Sequence, residues 1–158
     1  MSRYLRRMQL PEVGEAGQAR LAASHLLVIG AGGLSATLLP QLVGAGIGQL
    51  TLVDPDQVEL SNLHRQTLFR ASDIGQPKAR AACAALDGLN PDTQLRPVVA
   101  KLCADTAPAL LDGVDLVLDA ADSFLCTYLL SDLCHAAGLP LISGSVLGRA
   151  GYVGGFCG

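Results

Sequence analysis

Charged side chains are scarce in this sequence, making up 16% of its 158 residues against roughly 25% in an ordinary soluble domain. The formal net charge is -3 and the pI about 5.4. No basic footprint of the kind that neutralises nucleic-acid phosphates is present, which excludes DNA and RNA as partners. No two of the five cysteines, Cys83, Cys103, Cys126, Cys134 and Cys157, form a C-x-x-C pair. We therefore expect no zinc site and no redox couple within the chain, and read the cysteines as buried thiols of a reducing cytosol. The basic start, Arg3, Arg6 and Arg7, runs into Pro11-Glu12 and not into an apolar stretch with a small-residue cleavage site, so no export signal is read. Charge is missing altogether from Ala22 to Val53, a length that could span a membrane. Gly30, Gly32, Gly33, Pro40, Gly44, Gly46 and Gly48 divide that run into strand, turn, helix and strand, and no membrane association is expected. The expected location is the cytoplasm.

What is present in abundance is apolar: half the residues are hydrophobic, enough for one domain with one substantial core. The apolar surplus over a thin charge inventory leads us to expect an oligomer, or further chain, covering part of the surface. Leu26-Leu27-Val28-Ile29 is a continuous apolar run ending at glycines, the pattern of a strand buried on both faces. A helix is predicted from Leu34 to Ala45 and a second strand from Gln49 to Val53. Residues 54–72 show neither helical nor strand period and read as a long functional loop. Pro77 suits the first turn of a helix running to about Leu89. Further strands are predicted over 95–99, 114–118 and 139–143, with helices over 105–111 and 122–137. A strand-like stretch begins at Gly151. Alternating strands and helices imply an α/β fold, Rossmann-like, with a mostly parallel sheet covered on both faces and ligands at the carboxyl ends of the strands.

Gly30-Ala31-Gly32-Gly33 falls between the first strand and the first long helix, where absent side chains let backbone N–H groups and a helix N-terminus approach phosphate. Asp54 closes the second strand, the place where a carboxylate accepts hydrogen bonds from ribose hydroxyls. Together they indicate a nucleotide and leave NAD and ATP open. The following loop favours ATP. Ser61-Asn62-Leu63-His64-Arg65-Gln66 and Gly75-Gln76-Pro77-Lys78 supply two cations and several amide donors, suited to charge gathering on a departing pyrophosphate. Surface solvation is the ordinary fate of a lone Arg65 or Lys78. Asp122, after the fourth strand, is placed to hold Mg²⁺ or to cap a helix, and the company of Arg65 and Lys78 favours the metal.

These residues carry a resemblance. The R-Y-L-R run at Arg3 to Arg6, Gly17-Gln18, G-A-G-G-L at Gly30 to Leu34, D-x-D at Asp54 to Asp56, S-N-L-H-R-Q at Ser61 to Gln66, G-Q-P-K at Gly75 to Lys78, L-N-P at Leu89 to Pro91 and D-A-A-D at Asp119 to Asp122 resemble the ThiF/MoeB/HesA adenylyltransferases. Those enzymes share their adenylation domain with the ubiquitin-activating enzymes. The resemblance covers essentially the whole chain in order. It implies an adenylation domain over 1–158, with a helical arm over 1–24, a nucleotide-binding core over 25–158 and an incomplete C-terminus. It implies ATP and Mg²⁺, a small ubiquitin-like partner ending in Gly-Gly, and a homodimer.

Carried over by position, the nucleotide contacts are Gly30, Gly32, Gly33, Asp54, Asp56, Ser61, Asn62, Arg65, Gln66, Lys78, Asp122 and Ser123. Among these, the resemblance makes Gly33 a phosphate-turn glycine, Asp54 the ribose ligand, Asn62, Arg65 and Lys78 the phosphate binders, and Asp122 the magnesium aspartate. Arg6 is implied to reach into the other subunit's site. Ser35 stands where these proteins usually have a third glycine and is expected to crowd the first helical turn, and Ser123 stands where an Asn is usual. The expected reaction is adenylylation of the partner's terminal glycine carboxylate with release of pyrophosphate. Two rivals are a non-catalytic partner subunit and, from the glycine turn and Asp54 alone, an NAD-dependent oxidoreductase.

Overall fold

The strands of a computed structural model, which describes residues 2–157, are β1 His25–Ile29, β2 Gln49–Val53, β3 Gln94–Val98, β4 Leu116–Asp119, β5 Leu141–Leu147 and β6 Ala150–Phe156. The helices are α1 Leu5–Met8, α2 Gly14–Ala23, α3 Gly33–Ala45, α4 Lys78–Leu86, α5 Ala107–Leu111 and α6 Phe124–Ala137. One sheet runs in the order β3-β2-β1-β4-β5-β6. Its pairings are parallel except for the last, where β6 returns antiparallel to β5. The expected α/β architecture is the one found.

The unbroken apolar run of β1 has a physical reason, because both of its faces are covered. Leu26 and Val28 pack with Leu39 and Val43 of α3 and Leu86 of α4, whereas Leu27 and Ile29 pack with Leu130 and Cys134 of α6. Alternate side chains thus enter two cores, and neither face can be polar. The sequence order reverses between β1 and β4, which leaves the crevice of a doubly wound sheet above their carboxyl ends.

Several element boundaries differ from those expected. Helix α4 ends at Leu86 because Asp87 leaves helical geometry and Gly88 turns left-handed at φ +80°. Strand β5 continues past Ser143 to Leu147, because β6 pairs with it along its whole length. Helix α6 starts at Phe124 and not at Asp122. The loop over 54–72 holds only two short 3₁₀ turns, Leu60–Asn62 and Ala71–Asp73. The reading of the cysteines needs correction: Cys83 and Cys134 are buried, Cys126 is half-buried, and Cys103 and Cys157 are exposed. Burial pushes the Cys83 thiol up to about 11, whereas hydrogen bonds from Thr106 hold Cys103 below the ordinary thiol value. Among the described residues, no helix is long and apolar enough to cross a membrane.

The N-terminal arm is tied to the far end of α3. Arg7 donates to the carbonyl of Ala45 and to the side chain of Gln18, and Gln18 donates to the same carbonyl at 3.2 Å. Asn90 donates to the hydroxyl of Tyr4 at 2.7 Å and to the carbonyl of Val43 at 2.9 Å. These bonds occupy carbonyls that a helix end otherwise leaves open, and a cation there suits the negative end of the helix dipole. On the opposite flank an apolar groove of about 630 Å³ opens over β4, β5 and β6, its walls including Leu34, Leu38, Ile142, Val146, Tyr152 and Val153.

Candidate active site

Gly30 leaves β1 at φ +96°, and a Cβ there would lie 2.7 Å from the carbonyl oxygen of Ala120, the residue that follows β4. The first glycine therefore serves the contact between β1 and β4 as much as any ligand. We expect Gly30→Ala to destabilise the fold by about 2 kcal/mol or more, since it combines an unfavourable backbone angle with a clash against main chain. A lowered midpoint in urea unfolding, with an unchanged slope, is the measurement that checks it. Gly32 occupies the cap position of α3, and that helix has no acidic residue in its first turn. The N–H groups of its first turn have no acceptor within the helix, an arrangement that suits an anion.

Ser35 does not crowd this turn. It is fully buried, and its hydroxyl donates to the carbonyl of Gly30, so the departure from a third glycine is absorbed as a bond across the turn.

Asp54 is 6% exposed and holds the turn from the other side. One carboxylate oxygen accepts the Ala31 N–H at 2.7 Å and the other the Asp56 N–H at 2.8 Å. Burial raises its carboxyl above the ordinary range, opposed by those two amides and by the charge of Lys78. Each oxygen keeps a lone pair for a further donor. Lys78 is buried and its ammonium lies 2.9 Å from the carboxylate of Asp56. Asp56 thus orients the lysine, whose remaining N–H donors stay available.

Arg65 is exposed, lays its side-chain carbons and its carbonyl over Gly33, and donates to the carbonyl of Ser61 at 3.4 Å. Gln66, 4% exposed, lies beside Gly32, and its side-chain carbonyl is a buried acceptor with no partner among the described residues. Such an orphaned acceptor fits a site that takes up a ligand with hydroxyl or amine donors. Ser61 and Asn62 sit in the preceding 3₁₀ turn, where Ser61 donates to Glu59 and Asn62 to Ser61.

Asp122 and Ser123 lie in the turn after β4, against the glycine turn, with both side chains exposed. The helix-cap alternative for Asp122 is overturned, because Ser123 occupies the cap position of α6 and makes no side-chain cap bond. The carboxylate of Asp122 accepts no hydrogen bond among the described residues, so it is free to meet a ligand. Arg6 is not brought to this site. Its helix docks at Ala45, the other end of the 13-residue α3, which puts it about 20 Å from the glycine turn.

Four residues with no role assigned from the sequence stand beside the site. Asp119, 3% exposed, accepts hydrogen bonds from Ala121, Thr127 and Ser143, and Ser143 also meets Tyr152. The usable signal was a pair of polar residues within apolar strand sequences, and Asp119 and Ser143 are partners in the sheet register.

Comparison with known proteins bears on the family and the fold. The profile of the ThiF family matches residues 4–157. The SAMP-activating enzyme E1 of Haloferax volcanii is 43% identical over 146 residues, a match covering 92% of this chain and 54% of that protein. The sulfur carrier protein adenylyltransferase of Thermus thermophilus is 42% identical over 156 residues, covering 99% of this chain and 58% of that protein. The chain therefore spans about half the length of these curated relatives. Among solved structures, Escherichia coli MccB superposes with a TM-score of 0.85 at 25% identity, over 97% of this chain and 46% of that one. The chain belongs to the ThiF family.

Proposed function

We propose that this chain is the ATP-binding half of an adenylyltransferase that activates the terminal glycine carboxylate of a small ubiquitin-like sulfur carrier ending in Gly-Gly. The observation that carries the reading is the convergence at one sheet edge of the open α3 N-terminus, the buried Asp54, the Asp56-oriented Lys78 and the free carboxylate of Asp122. The relatives' names, a SAMP-activating enzyme and a sulfur carrier protein adenylyltransferase, point to the same chemistry.

In this reaction an oxygen of the carrier's carboxylate attacks the α-phosphorus of ATP. The bond from that phosphorus to the bridging oxygen breaks, and pyrophosphate leaves with the electron pair. No general base is required, because a C-terminal carboxylate is already ionised near pH 7. The chain's task is positioning and charge stabilisation. The α3 N-terminus cradles phosphate, Asp54 takes the ribose hydroxyls, and Lys78 and Arg65 meet the charge that develops on pyrophosphate. Asp122 is the residue that would hold Mg²⁺, and the ion would supply neutralisation of the phosphate charge. The 20 Å separation from its own glycine turn supports Arg6 acting in the site of a second copy, and the exposed apolar flank supports a homodimer.

ATP–pyrophosphate exchange stimulated by a carrier ending in Gly-Gly tests the reading, and tight NAD binding with negligible ATP binding would overturn it. In the same assay series, Lys78→Ala and Arg65→Ala are expected to weaken ATP more than AMP. Their charge-assisted bonds, worth roughly 1.5–3 kcal/mol each, go to phosphates that AMP lacks. Titration calorimetry of both nucleotides reads the difference, and equal losses for the two would place these cations elsewhere.

A further inference from the structure

The end of β4 holds a buried carboxylate that the reaction as proposed does not use. Asp119 pairs in register with Ile29 of β1 on one side and with Ser143 of β5 on the other, at the point where the sheet order reverses. No cation lies within ion-pair distance of it among the described residues. Its desolvation is instead met by three neutral donors: one oxygen accepts the Ala121 N–H at 3.1 Å, and the other accepts the hydroxyls of Thr127 at 2.7 Å and Ser143 at 2.9 Å. The single hydroxyl hydrogen of Ser143 points at Asp119, so Ser143 accepts from the hydroxyl of Tyr152, 2.9 Å away on β6.

A buried carboxylate without a cation is a poor device for stability alone, since an apolar residue of similar size commonly does as well or better. Its bonds, however, are all aimed at one stretch of chain. The Ala121 bond bends the backbone two residues after the strand end, as aspartate side chains do in turns. The Thr127 bond secures the first turn of α6 on the other side of Asp122. The turn between them is pressed against the site, for Ala120 donates to the carbonyl of Ile29 at 2.9 Å and its own carbonyl faces Gly30. Asp54 holds its own strand end in the same way, with one oxygen on the N–H two residues on and the other on a neighbouring element.

We propose that Asp119, with Thr127 and Ser143, is the positioning residue of the site: it fixes the Ala120–Ser123 turn so that the carboxylate of Asp122 stands at the phosphates. It touches neither nucleotide nor metal. The proposal rests on the adenylyltransferase reading for its catalytic consequence, but the fixing of the turn can be measured without turnover.

Asp119→Asn keeps the size and sets an amide N–H₂ or a weaker acceptor where hydroxyl hydrogens already point. Exchange of pyrophosphate should fall about 10- to 100-fold, the scale of a small misplacement of a reacting group. In an Asp122→Ala background the same substitution should cost less than about 2-fold, because residues acting as a unit are non-additive. Thr127→Val should behave as a milder version of Asp119→Asn, and Thr127→Ser should recover at least about half the wild-type rate. These serve if Asp119→Asn folds poorly. Independently, amide hydrogen exchange should quicken at least about 10-fold over 120–127 in Asp119→Asn and stay unchanged in β1 and β2. Losses that add fully to those of Asp122→Ala, or faster hydrogen exchange spread evenly over the sheet, would show a general structural role and overturn the proposal. A wild-type protein inactive toward every carrier would sink the adenylyltransferase reading, while the hydrogen-exchange comparison would still decide whether Asp119 fixes the turn.

Discussion

Asp122→Ala lowers carrier-stimulated ATP–pyrophosphate exchange by on the order of 10²-fold or more, the cost of removing a group that stabilises transition-state charge. The fold survives, because the side chain is exposed and accepts no hydrogen bond among the described residues. The thermal midpoint of the variant should therefore match that of the parent, which separates loss of chemistry from loss of structure. Raising Mg²⁺ should not restore the rate, since among the described residues no cluster of three or more metal-ligating side chains is present to hold the ion in place of Asp122. Full exchange by Asp122→Ala at saturating Mg²⁺ would remove the aspartate from the reaction, and its exposed place in the turn would need another explanation.

Mixing two dead variants should return activity. Arg6→Ala and Asp122→Ala homodimers are each expected to be nearly inactive, for different reasons. Arg6 sits on the arm that Arg7, Gln18 and Asn90 lock to the far end of α3, and no arginine side chain spans the distance from there to the glycine turn. On the proposed function, leaving pyrophosphate gathers negative charge, and Arg6 from a second copy would complete the set of Arg65 and Lys78 as arginine fingers do. In a heterodimer one site combines an intact Asp122 with an intact Arg6 from the other chain, whereas the second site lacks both. Random exchange makes about half of the dimers mixed, each with one sound site, so about a quarter of wild-type activity should appear. Absence of recovery after subunit exchange has been demonstrated by mass spectrometry would mean that Arg6 serves no site across the interface.

The strands and the glycine turn were legible in the sequence because one cause dominated each. Burial on both faces leaves β1 no room for polar residues, and a strand-to-helix turn pressed against Ala120 admits only glycine at position 30. Helix ends were less legible, since they depend on single bonds from elsewhere. The start of α6 is set by the Asp119 carboxylate on Ala121 and Thr127, and the sequence of 119–124 alone does not disclose that competition. Lys78 could be read as a free cation, but its pairing with Asp56 depends on a loop folding back across 22 positions. The burial of Ser35 shows the reverse case, in which a residue that looks obstructive from its position becomes a bond once the neighbouring carbonyl is in place. Gln18 and Asn90 carry part of the resemblance to the family, yet their bonds anchor the arm at the far end of α3.

Helix α3 contains no charged side chain of its own from Gly33 to Ala45, which leaves its two poles bare. The negative pole is quenched by a cation from another part of the chain, Arg7 on the Ala45 carbonyl. The positive pole has no acidic residue in its own first turn, and the Asp54 carboxylate beside it is engaged by the N–H groups of Ala31 and Asp56. An anionic guest would add charge at that pole, and the gain from the helix dipole is confined to its terminal turn. Adenosine offers nothing to this electrode, whereas a polyphosphate does. On the proposed function, selection for charge would begin in the main chain, and substitution of Lys78 or Arg65 should weaken discrimination between nucleotide and nucleoside without erasing it.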